Sequence, residues 1–169
     1  SNRYLGEHIA EAGVPIVQTH GGHAIYIDAR SMLPHLPPEV YPGQALVIEL
    51  YRQGGVRSVE IGSVMFGKRD PETGEETFAE HDLVRLAIPR RVYTKSQIDY
   101  VVDTIVEVYE RRDGVRGVEI VDQRSGLLGL RRQLPLPLPQ RPFDLVEPSN
   151  FRQRMRRPIG GIRLGLEEL

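Results

Sequence analysis

Arg85 stands inside an otherwise apolar run, Leu83-Val84-Arg85-Leu86-Ala87-Ile88, which leads into Pro89-Arg90-Arg91-Val92-Tyr93-Thr94. A guanidinium does not shed its proton in a protein, and it presents five N–H donors in a planar fork that matches the two oxygens of a carboxylate. The chemistry open to such a residue is therefore the gripping of an acid. Read as a strand, Leu83, Arg85 and Ala87 point one way and Val84, Leu86 and Ile88 the other. Apolar side chains on both faces predict a strand covered on both sides, with Arg85 short of water. Its acid is then either internal, with Glu60 on a neighbouring strand as the candidate, or carried by a ligand.

The other polar groups point to less. His20, His23 and His35 lack the carboxylate or thiolate company of a metal centre, and a structural role is the simpler reading. Arg90 and Arg91 could touch a phosphate but are expected to be solvated or paired at the sheet edge. Arg57 reads as half of a structural ion pair. Lys68 and Lys95 are the two lysines of the sequence. One falls in a polar loop and the other at a helix start, without the apolar or cationic surroundings that make a lysine nucleophilic.

These residues need elements to hold them. Arg3 to Ala12 reads as a helix with Leu5, Ile9 and Ala12 on one side. Val14–Thr19 and His23–Asp28 read as two strands joined by Gly21-Gly22, with Ile25 and Ile27 alternating against Tyr26 and Asp28. Prolines 34, 37, 38 and 42 form a rigid connector before a helix from Gly43 to Gln53, stopped by Gly54-Gly55. Val56–Ile61 is strand-like, and Lys68–Glu80 is an exposed hairpin or loop. Thr94 to Arg112 is the clearest helix. Thr94 and Gln97 have capping-box spacing, and Ile98, Val101, Val102, Ile105, Val108 and Tyr109 form an apolar stripe. Val118–Val121 offers a last strand. The alternation predicts a two-layer α/β domain with a small, mostly antiparallel sheet and helices packed on it. The domain spans residues 3–134, and a Pro/Arg-rich tail spans 135–169.

With 169 residues and a formal net charge of −1, the composition is that of a globular domain and gives no electrostatic reason to expect nucleic acid or an anionic membrane as partner. Without cysteine there is neither disulfide nor thiolate chemistry, which is compatible with a cytoplasmic protein. No apolar run is long enough to cross a bilayer. Helical character already at Arg3 leads to the expectation of a piece of a longer protein.

Seven segments in order resemble the C-terminal part of the tryptophanase and tyrosine phenol-lyase family. They are Gly13–Val17 (GVPIV), Gly21–Ala29 (GGHAIYIDA), Leu33–Pro37 (LPHLP), Gly43–Tyr51 (GQALVIELY), Gly54–Ser63 (GGVRSVEIGS), Asp70–Glu75 (DPETGE) and the Arg85 run itself. The resemblance implies the small domain of a fold-type-I pyridoxal-phosphate enzyme. The cofactor, its Schiff-base lysine and a potassium site would lie in a large domain absent from this sequence, so the chain alone is expected to be inert. The whole would be a cytoplasmic homotetramer that cleaves an aromatic amino acid to pyruvate, ammonia and the free ring compound. By the same resemblance Arg85 holds the substrate α-carboxylate, while Val59 and Ile61 line the ring pocket. Phenol-lyases place an arginine at the position of Ile61, so an apolar residue here favours tryptophan over tyrosine.

The resemblance departs near the end, where Gly129 falls at the position of a tryptophanase histidine. Two alternatives stay open: a lyase for another amino acid such as tyrosine, and a non-catalytic ligand-binding or assembly domain.

Overall fold

The computed structural model describes residues 2–17, 24–70, 72–89, 92–124 and 127–132, with side chains through Ile120. The chain divides into two units, Ser1–Leu134 and Pro135–Leu169. The Pro/Arg-rich tail expected over 135–169 lies outside the described residues, as do Gly21-Gly22, His20, His23, Arg90 and Arg91.

The first helix, α1, spans Asn2–Glu11 and buries Leu5 and Ile9. Of the strand expected over Val14–Thr19, the described part shows a single antiparallel bridge, Ile16 to Ile27. Strand β1 (Ala24–Asp28) comes next, and the Asp28 side chain accepts from Ser31 N to cap the short helix α2, Ala29–Met32. Pro37 opens a single 3₁₀ turn at Pro38–Val40. Helix α3 (Pro42–Gly54) has proline in its first turn. It ends on Gly55 at φ 65°, whose N–H closes onto the Leu50 and Tyr51 carbonyls, a left-handed cap that glycine adopts without a Cβ clash.

The strand expected over Val56–Ile61 forms ladder pairs only at Val59–Ile61, β2. A four-residue helix, α4 (Ser63–Phe66), succeeds it. The polar loop is the expected hairpin, with β3 (Lys68–Arg69) paired to β4 (Glu76–Thr77). Strand β5 is Leu83–Ala87. Helix α5 (Lys95–Glu110) carries the capping box at its start, Thr94 with Gln97, so orphan donors at both ends of that turn are satisfied. Strand β6 (Val118–Arg124) pairs with β7 (Leu127–Arg132) as a separate two-stranded sheet, rather than extending the main one.

The main sheet has three antiparallel strands in the order β1-β5-β2, which puts the Arg85 strand at its centre. Ile25, Ile27, Val84 and Leu86 join Leu46, Leu50, Val102 and Ile105 in one core. Each such buried side chain contributes about 1.5–3 kcal/mol of transfer free energy. The domain is thus mixed α/β, with helices packed on a small antiparallel sheet.

One expectation is corrected. The sheet is not covered on both faces among the described residues. Val84 and Leu86 are buried, but Ala87 is exposed, Leu83 and Arg85 are half-buried, and Val59 is 47% exposed. The helices contribute their buried residues to the Val84–Leu86 side, and an alternation of small and medium apolar residues reads the same whether the second face meets its own chain or not.

A candidate carboxylate-binding face

Register assigns the side chains to faces without ambiguity. Directly opposed residues in an antiparallel pair project to the same side. Arg85 is opposed by Tyr26 on β1 and by Val59 on β2, and Leu83 is opposed by Asp28 and Ile61. Arg85, Val59 and Ile61, singled out separately in the sequence, therefore share the open face. Glu60 is opposed by Val84 and points into the core, which removes it as the acid mate of Arg85.

No carboxylate of the described residues lies within ion-pair distance of Arg85. Its Nε is shielded from water and has no hydrogen-bond partner. A buried donor left unmade costs about 1–3 kcal/mol, so this nitrogen calls for an acceptor from outside the described chain. The flanking apolar groups lower the local dielectric, which strengthens any carboxylate contact made there.

Behind that face lies a polar cluster that sequence reasoning missed. Asp82, fully buried, accepts from Arg30 Nε at 2.6 Å and from Ser63 N at 2.8 Å. Arg30 also donates to the carbonyls of Glu80 (2.9 Å) and Ala79 (2.5 Å). Glu60, 6% exposed, accepts from Val64 N at 3.2 Å. Burial pushes the Glu60 carboxyl above the ordinary range; the Val64 N–H offsets part of this and the charge of Asp82 adds to it. In the sequence Asp82 stands just before the apolar run of β5 and Glu60 stands between Val59 and Ile61, but neither position hints that the two carboxylates converge.

Arg57, expected in an ion pair, is exposed and has no acidic partner among the described residues. Burial alternates from Val56 to Glu60, with 56, 58 and 60 the more enclosed, so Arg57 falls on the Val59 side. His35 bonds through Nε2 to the Val115 carbonyl at 2.9 Å, and the described residues contain no group of three metal-capable side chains. Gly129 sits in β7 opposite Asp122. A shallow cleft lined by Tyr41, Ser63, Lys68, Glu76 and Phe78 does not include Arg85. There Tyr41 donates to Glu76 Oε2 at 3.2 Å, and its hydroxyl is pushed up to about 12, first by burial and then by the Glu76 charge.

Comparison with known proteins supplies the ancestry. The beta-eliminating lyase family profile matches residues 1–104. The chain belongs to the beta-eliminating lyase family. A tryptophanase of Salinibacter ruber is 55% identical over 123 residues, which is 73% of this chain and 26% of that protein. A tyrosine phenol-lyase of Symbiobacterium thermophilum is 50% identical over 119 residues, 70% of this chain and 26% of the relative. A probable tryptophanase of Halobacterium salinarum is 50% identical over the same length, covering 25% of its own chain. The chain thus spans about a quarter of the length of the curated relatives it matches. No helix among its described residues is long and apolar enough to cross a membrane.

Proposed function

We propose that these residues form the small C-terminal domain of a pyridoxal-phosphate-dependent, fold-type-I lyase that cleaves an aromatic amino acid, with tryptophan the first choice. Arg85 carries the reading: a cation at the centre of the sheet, on its open face, with an enclosed Nε and no acid partner among the described residues. In this role it takes the α-carboxylate in a two-bond clamp and fixes the orientation of the Cα–H bond. Val59, directly across from it, and Ile61, two residues on, supply an apolar wall for the ring. Such a wall accepts indole and offers no cation to a phenolate.

The lysines of this chain do not fit the cofactor. Lys68 is exposed on β3. Lys95 donates to Asp99 at 2.9 Å and to the Tyr4 hydroxyl at 2.9 Å, and these bonds raise its pKa, opposite to what a nucleophilic amine requires. Pyridoxal phosphate and any potassium ion would be held by residues outside this sequence, in a cytoplasmic homotetramer. Tyrosine is the second reading, favoured by the 50% identity to a tyrosine phenol-lyase.

The test is pyruvate release by the protein expressed from the full reading frame, with pyridoxal phosphate added, from tryptophan, tyrosine and S-methylcysteine. Faster release from tryptophan than from tyrosine is expected. Release from none of the three would reject the lyase reading in favour of a non-catalytic ligand-binding or assembly domain.

A further inference from the structure

Strand β2 does two things at once. Its odd positions, Val59 and Ile61, face the open side, and its even position, Glu60, faces the core. The strand has three ladder residues at the edge of the sheet, so its own pairing holds it weakly. The turn at 62–65, immediately after the strand, closes on its own backbone, with Met65 N and Phe66 N donating to the Gly62 carbonyl at 3.1 and 2.8 Å, and side chains tie it to the sheet. Glu60 Oε1 accepts from Val64 N at 3.2 Å, and Asp82 Oδ1 accepts from Ser63 N at 2.8 Å. Ser63 Oγ accepts from Ala79 N at 3.2 Å. The two carboxylates converge on Gly62: a methyl there would collide with Asp82 Oδ1 and would lie 2.7 Å from Glu60 Oε1. The turn has room for glycine alone at its first position.

Asp82 has the Arg30 guanidinium as counter-ion. Glu60 has no such counter-ion among the described residues; its bond is to the backbone of the turn. A carboxylate buried without a cation is a cost to folding, and an apolar residue would serve the core better. The bond it makes to the turn is what remains to explain it.

We propose that Glu60 is a positioning residue for the ring pocket: it ties β2 to the turn at 62–65 and so fixes where Val59 and Ile61 stand relative to Arg85. This rests on the function proposed above and deepens it. The wall is thereby set from behind, by a residue that never meets the substrate. A lost bond to a charged acceptor lets the wall shift by fractions of an ångström, and the effect falls on the ring rather than on the carboxylate, whose clamp is on the central strand.

The experiment compares Glu60→Ala and Glu60→Gln in the full-length protein, with tryptophan and with S-methylcysteine, which eliminates a small aliphatic group and does not reach the wall. Glu60→Ala should raise KM for tryptophan about tenfold and leave S-methylcysteine kinetics unchanged. Glu60→Gln retains a carbonyl acceptor for Val64 N and should restore the tryptophan KM. Should Glu60→Ala fail to fold, Glu60→Asp serves, because its shorter side chain retreats from Val64 N by one methylene and should give the same selective loss. A proportional loss on both substrates, no change on tryptophan, or failure of Gln to rescue would overturn the assignment. Wild-type protein inactive on both substrates would overturn the lyase function itself, and the positioning role with it.

Discussion

Replacing Arg85 by methionine separates a ligand-binding cation from a structural one. The described residues offer Arg85 no acidic partner and leave its Nε enclosed and unbonded. Methionine keeps the aliphatic stem against Val59 and Tyr26 and removes the unsatisfied donor. Stability should therefore hold within about 0.5 kcal/mol, or rise slightly. Activity should behave oppositely. Two parallel charge-assisted bonds are worth about 1.5–3 kcal/mol each; counting both at the lower end gives about 3 kcal/mol, or about a hundredfold in kcat/KM. The assay is steady-state pyruvate release from tryptophan by the full-length protein, paired with thermal unfolding of the same samples. Unchanged kcat/KM would refute the clamp. A large fall in melting temperature that accounts for the activity loss would refute the claim that Arg85 lacks an internal role.

Asp82→Ala removes a fully buried carboxylate and leaves Arg30 and Ser63 N without their acceptor. The cost should be about 3 kcal/mol, read as a lowered urea midpoint; a loss under about 1 kcal/mol would show the cluster to be loosely held. Thr94→Ala deletes one half of the capping box on α5 and should cost about 1 kcal/mol, visible in the same titration. For Glu60 the sign comes from its raised pKa. The folded state favours the protonated acid, so this stability is fully present below the ordinary value of 4.5 and is lost as pH rises through the raised folded value. Melting curves of Glu60→Gln should gain on the wild type over that window and run parallel above it. Asp103, raised by burial and then by Asp99 and Glu107, adds a slope of the same sign to both proteins. A difference between the two proteins that stays flat across the window would contradict the burial of Glu60.

Period and punctuation made much of the fold legible. The apolar stripe of α5 with its capping box, the α3 helix stopped at Gly55, and the hairpin around Asp70–Glu75 each obey local rules that tertiary contacts did not override. Alternation in the sequence put Val59 and Ile61 in phase with each other, and pairing register then brought them to the face of Arg85. What local rules could not supply was partnership. Helices α2 and α4 are four-residue turns, too short to leave a periodic trace, and they exist where Asp28, Glu60 and Asp82 satisfy their first N–H groups. The open second face of β5 depends on neighbours distant in sequence or outside the described chain. Glu60 as the partner of Arg85 failed for the same reason, since adjacency in a sheet says nothing of side until register is known.

The division of labour along β2 has a consequence for how such a pocket diversifies. On the function proposed above, exchanges at 57, 59 and 61 would explore new leaving groups while the hydrophobic interior stays as it was, because those side chains face away from it. A one-residue deletion between Gly55 and Val59 would do the reverse, turning the acid outward and the ring-facing residues in. Specificity in this lineage should therefore drift by exchange at alternate positions, with length in that short stretch held constant.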